Sequence, residues 1–153
     1  MIARRIARPL LAASFVWGGI ATLRNPGPQV AKAEPVAPAV ADKVPLPLPT
    51  DTEQLVKINA IAQIVAGLFL AIGRLPRLAA LVLAASIVPT TAAGHRFWEI
   101  DEPAQRAQQQ IHFLKNAGLL GGLLLAALDT EGRPSLGWRA RRAAHKVKEK
   151  ATS

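Results

Sequence analysis

Four runs of 15 to 19 residues, nearly free of ionisable side chains, restrict what this sequence can become. They are Pro9 to Leu23, Leu55 to Gly73, Leu78 to Gly94 and Ile111 to Leu128, and the first extends upstream to Ile6. At 1.5 Å per residue, each is close to the length that crosses a hydrocarbon core of about 30 Å. A soluble bundle needs a polar face on every helix, and LAALVLAASIV, from Leu78 to Val88, has none. The expected fold is therefore all-α, a four-helix transmembrane bundle with spans at 6–23, 55–73, 78–94 and 111–128.

Charge placement orients the bundle. Twelve of the nineteen Lys and Arg residues fall before the first span, in the turn between the second and third, or after the fourth. Five fall in the two remaining loops, where Glu34, Asp42, Asp51, Glu53, Glu99, Asp101 and Glu102 also lie. The positive-inside bias makes the richer side cytoplasmic, so both termini are expected there. Residues 1–138 form one membrane domain and residues 139–153 a basic cytoplasmic tail. Directly after a span, such a tail points to anionic lipid and not to nucleic acid. The loop 24–54 holds most of the prolines and is expected outside the membrane, extended and partly polyproline II, as a connection or a lid. A cleaved leader ending near Ala33 would leave three spans, but Arg24 interrupts the region before that site.

Cysteine and tyrosine are both absent, which excludes thiolate catalysis, cysteine-ligated clusters and phenol relays. No Ser/His/Asp set, phosphate-binding glycine loop or metal-ligand spacing stands out, so the chain is poorly equipped as a self-contained enzyme. Small or polar residues recur on one face of each span: Ser14, Gly18 and Thr22; Asn59, Gln63 and Gly67; Ser86, Thr90 and Gly94; Lys115, Gly118, Gly122 and Ala126. Such spacing lets helices approach closely in lipid. Polar members gather toward the external side: Lys57, Asn59, Gln63, Thr90, Thr91, His95, His112, Lys115 and Asn116. Lys115 lies inside a span, where a charge is costly and marks function by default. It either pins the external loop through Glu99, Asp101 or Glu102, or faces a ligand. Pro89 removes a backbone hydrogen bond to Ala85, and Thr90 and Thr91 are placed to satisfy freed groups.

The segments RRIARPLLAASFVWGGI, INAIAQIVAGLFLAIGRLPRLAAL, PTTAAGHRFWE and IHFLKNAGLLGGLLLAALD resemble the DoxX family of small four-helix membrane proteins. The resemblance implies a multi-pass protein of the bacterial plasma membrane, partnered with other membrane oxidoreductase subunits and close to quinone chemistry. It adds His95, Phe97, Trp98 and Glu99, with Lys115 and Asn116, as candidate residues. No cofactor is firmly implied, and quinone is the candidate ligand. The leading expectation is an accessory or non-catalytic oxidoreductase subunit with a pocket near the external leaflet. In it Lys115 and His112 would hold a polar head while Trp17, Phe97 and Trp98 pack on its ring. The alternatives are a scaffold for a membrane complex and a small lipid- or solute-handling protein.

Overall fold

The computed structural model of the chain describes residues 2–37 and 49–129. Four long helices dominate: α1 (Ile2–Arg24), α3 (Thr52–Ile72), α4 (Pro76–Gly94) and α5 (Pro103–Leu128). A short helix α2 (Gly27–Ala33) follows α1, and a 3-10 turn (Phe97–Glu99) precedes α5. All four long helices are long and apolar enough to cross a membrane. Large apolar side chains such as Ile72, Leu125 and Leu128 stand exposed, a surface that lipid covers and water would not tolerate. The expected basic tail, with Trp138 and His145, lies outside the described residues, as does the loop segment 38–48.

Helix starts and stops follow local chemistry. Asp51 caps α3, its carboxylate accepting from the backbone N–H groups of Glu53 and Gln54. Glu102 caps α5 in the same way through Ala104 and Gln105, with Pro103 in the first turn. That cap starts α5 eight residues before the apolar run at Ile111, so the first two turns of the helix are polar and exposed. The loop 24–54 is likewise not wholly extended. Pro26 and Pro28 fall at the cap and first turn of α2, where a missing N–H costs nothing. Between α3 and α4, Gly73 adopts φ 73° and the Arg74 N–H returns to the Phe69 carbonyl at 2.9 Å. Leu75, at φ 48°, is the lone non-glycine residue with positive φ among the described residues. α4 runs through Pro89 without interruption.

The helices form a row that bends into a bundle: α1 packs on α3, α3 on α4, and α4 on α5. The α1–α3 contact is the closest, because two glycines face it. A Cβ on Gly19 would sit 2.7 Å from the Ala60 carbonyl oxygen, and one on Gly67 would sit 2.7 Å from Val16. The face that α1 buries is thus Ala12, Phe15 and Gly19, one residue removed from the expected Ser14, Gly18 and Thr22. Ser14 is exposed and Gly18 has no neighbour within 4 Å of a would-be Cβ. The core is mostly alanine with Phe15, Leu70, Leu83, Ile87 and Leu123, small side chains that let backbones approach where lipid supplies no hydrophobic drive.

The row closes where α1 begins and α5 ends, here called the terminal end. Arg4 makes a two-pronged pair with Asp129, at 2.7 and 3.0 Å, and Arg8 reaches the same carboxylate at 3.5 Å. Arg77 donates to the Ala127 carbonyl at 2.8 Å, covering an unpaired group at the end of α5. Leu11 meets Gly122 nearby, at 3.5 Å from a would-be Cβ. Toward the opposite, distal end the two helices offer Gly18 and Gly118, each with open space beside it.

Candidate functional site

At the distal end, α4 stops at Gly94 and His95 caps it, its N–H bonded to the Thr91 carbonyl. The polar first turns of α5 run beside this stop and bring Gln109 to His95, Oε1 to Nδ1 at 2.7 Å. One turn further along α5, His112 stacks on His95 with ring centroids 5.3 Å apart and planes 25° from parallel. A further turn places Asn116 against Thr91, its amide donating to the hydroxyl at 3.0 Å. Thr91 in turn donates to the Ile87 carbonyl at 2.6 Å. Three successive contacts thus tie α5 to the end of α4, all at a spacing that puts Gln109, His112 and Asn116 on one helix face.

An aromatic trio lies alongside. Phe97, Trp98 and Phe113 meet edge to face, with centroids 5.2 to 6.1 Å apart. Trp98 remains largely exposed, an amphipathic ring suited to the membrane–water boundary. Trp17 is 72% exposed on α1 and has no ring contact with this trio, so the expected three-ring wall does not form from it.

Deeper in the bundle a separate network joins α3 to α4. Gln63 donates to the Ser86 hydroxyl at 2.8 Å, and Ser86 donates to Asn59 at 2.8 Å. Thr90 donates back to the Ser86 carbonyl at 2.8 Å. Among the described residues, no buried side-chain polar atom lacks a partner. Asn59 and Gln63 thus bond across the α3–α4 contact, Thr90 bonds back within α4, and none of the three bonds to the histidines.

Lys115 is exposed, and no ion pair joins it to a described residue. Two of the three acids expected to hold it are engaged elsewhere, Glu99 with Arg96 at 3.1 Å and Glu102 as the cap of α5, and Asp101 makes no ion pair with it. The expected stripe on α5 accordingly divides. Gly122 packs toward Leu11, whereas Lys115 and Gly118 face outward. Lys57 pairs with Glu53 at 2.6 Å near the start of α3. Lys32, on the last turn of α2, and Lys115 both lie within electrostatic reach of His95.

Of the residues singled out from the sequence, the structure brings together His95, His112 and Asn116, with Lys115 beside them and Trp98 and Glu99 at the rim. Gln109, Thr91 and Phe113 complete the cluster. Gln109 sits in a polar stretch that lacks any apolar period, but Glu102-Pro103 is a helix-start signal from which its face follows. Among the described residues, no group of three or more His, Cys, Asp or Glu is arranged to hold a metal ion.

No curated protein and no solved structure matches the chain. The DoxX family model matches residues 3–96, which covers α1 to α4 and stops one residue past His95. The half of the cluster that α5 supplies lies beyond the match. Four spanning helices and a match over more than half of the sequence make this a multi-pass membrane protein, and the chain belongs to the DoxX family, whose members are often linked to oxidoreductase systems.

Proposed function

We propose that this protein is an accessory subunit of an oxidoreductase system in a bacterial plasma membrane, and that its distal cluster holds the head of a quinone. The distal end faces outward and both termini lie in the cytoplasm, as the distribution of basic residues favours. The observation that carries this reading is the His95–His112 stack, anchored by Gln109 and flanked by the Phe97, Trp98 and Phe113 rings. Quinone carbonyls accept hydrogen bonds, and its ring is flat and apolar. Imidazole N–H and the Lys115 ammonium are donors of the required kind, and aromatic edges are the matching surface. Asn116 and Thr91 hold α5 in place beside them. The chain's own residues bind and orient such a head; with neither cysteine nor tyrosine they supply no thiol or phenol relay.

Co-purification tests this. Protein extracted gently from native membranes is expected to carry quinone, measured by solvent extraction and its ultraviolet redox difference spectrum. Lys115→Leu and His112→Asn are each expected to lower the retained amount about tenfold, the loss of one hydrogen bond to a charged or polar head. Quinone-free protein from quinone-replete membranes sinks the proposal.

One observation favours a second reading, a scaffold for partner subunits. The α5 face bearing Gly118 and Gly121 has open space where a neighbouring helix would fit. Under that reading Gly118→Leu disrupts recovery of partner subunits and leaves quinone retention unchanged.

A further inference from the structure

The α3–α4 contact leaves an open groove of about 220 Å³ on the lipid-facing surface, lined by apolar side chains throughout. Ala66 and Ala79, both buried, form its floor, and Val65, Phe69, Leu78 and Val82, all partly exposed, form its walls. Along α4 it runs from Leu75 to Val82, roughly 10 Å at 1.5 Å per residue. Inward it stops at Ala62 and Val82, next to the Gln63–Ser86 hydrogen bond. Its mouth is the α3–α4 turn, at the opposite end of the bundle from the histidines. There Leu75 holds the left-handed φ of 48°, a conformation that glycine takes without penalty and leucine does not. Its side chain lines the groove yet is 65% exposed, so no burial within the described chain offsets that strain.

The same turn is strongly positive. Among the described residues, the terminal end carries Arg4, Arg5, Arg8, Arg74 and Arg77 and a single acid, Asp129, already paired with Arg4 and Arg8. The Arg8 guanidinium comes within 3.3 Å of where a Cβ on Gly73 would stand. Arg74 is exposed and makes no ion pair with a described residue. Its backbone N–H bonds to the Phe69 carbonyl at 2.9 Å, and Leu75 follows it, so it sits between two residues that line the groove.

We propose that one acyl chain of an anionic phospholipid lies in this groove, with the lipid's phosphate beside Arg74. The groove reaches inward less than half the way across a hydrocarbon core of about 30 Å, the depth of one leaflet. A spanning helix needs a face along the whole bundle, and here the apolar lining ends at the Gln63–Ser86 hydrogen bond. A phospholipid brings a negative charge to the level where the unmatched arginines stand, and guanidinium is the side chain best shaped for phosphate. The chain would also cover Leu75 and so supply the burial that its backbone lacks. The site lies away from the histidine cluster and does not rest on the quinone reading.

Native mass spectrometry of the full chain in neutral detergent tests this, with dioleoyl phosphatidylglycerol and dioleoyl phosphatidylcholine titrated separately. Phosphatidylglycerol is expected to bind saturably, one molecule per chain, and more tightly than phosphatidylcholine. Arg74→Gln is expected to weaken it about fivefold, the contribution of one basic group near an anionic surface. Val65→Trp, which fills the groove, is expected to weaken both lipids. Two controls are expected to leave the affinity unchanged: Leu68→Trp, on an exposed position of α3 outside the groove, and Arg24→Gln, at the far end of α1. Equal affinity for the two lipids overturns the proposal, as does full affinity in either Arg74→Gln or Val65→Trp. A lipid-free dimer that Val65→Trp dissociates also overturns it and puts a second copy in the groove. Arg74 and Val65 are both exposed, so the substitutions leave the helix packing intact, and unchanged thermal midpoints of the lipid-free variants verify this.

Discussion

Adjacent residues of α1 differ sharply in what they tolerate. Gly18 faces open space, whereas a Cβ on Gly19 would press on the Ala60 carbonyl and the Ile64 side chain, both at 2.7 Å. A backbone oxygen has little freedom to give way. Gly19→Ala is expected to cost about 1–3 kcal/mol, the usual range for overpacking, and Gly18→Ala nothing measurable. Thermal unfolding of the two variants in detergent separates them, and equal midpoints contradict the α1–α3 packing. The same pair explains why the sequence pointed to the wrong stripe. Ser14, Gly18 and Thr22 and the true face of Ala12, Phe15 and Gly19 have the same periodicity, and small residues alone do not say which one meets a neighbour. Lys115 was ambiguous for a similar reason. Three acids lay within plausible range, and only the capping and pairing geometry removes Glu99 and Glu102 from contention.

Among the elements, the four spans were legible because their apolar runs leave no polar face, a property that survives any detail of packing. What escaped were helical turns without an apolar period. The first two turns of α5 carry no apolar side chain larger than alanine or proline, and α2 lies in a proline-rich stretch, so hydrophobic period reports neither. Gln109, and with it the anchoring of His95, was lost with those turns. The closure of α1 against α5 was equally hidden, since Arg4 and Asp129 lie 125 positions apart. That pair is partly exposed, with side chains 38% and 24% accessible, so screening keeps its worth modest. Asp129→Ala is expected to destabilise by about 1 kcal/mol or less. The difference from the unaltered protein should shrink as salt rises from 0.05 to about 0.5 M, where the screening length falls well below the low-salt value. A loss that ignores salt assigns Asp129 a packing role instead.

On the scale of the whole molecule, the depth profile of polarity was readable and its partition was not. The sequence placed polar groups toward one end; the structure divides them into a satisfied network around Ser86 and a half-exposed cluster around the two histidines. The orientation of that end is open to a direct measurement, because the chain has no cysteine of its own. Single substitutions Glu34→Cys and Arg5→Cys sit at opposite ends of the bundle and are both exposed. In intact cells a membrane-impermeant maleimide is expected to label Glu34→Cys and to reach Arg5→Cys only after lysis. The reverse pattern inverts the topology and moves the proposed quinone site to the cytoplasmic leaflet.

The grip of Arg4 on Asp129 also says something about how the chain is strung. Among the described helices, the first and the last are tied by one side-chain pair, so a short linker in place of residues 130–153 would join the start of α1 to the end of α5. The chain is then free to be cut anew between Ala37 and Pro49, giving a circular permutant with every helix still beside its old neighbours.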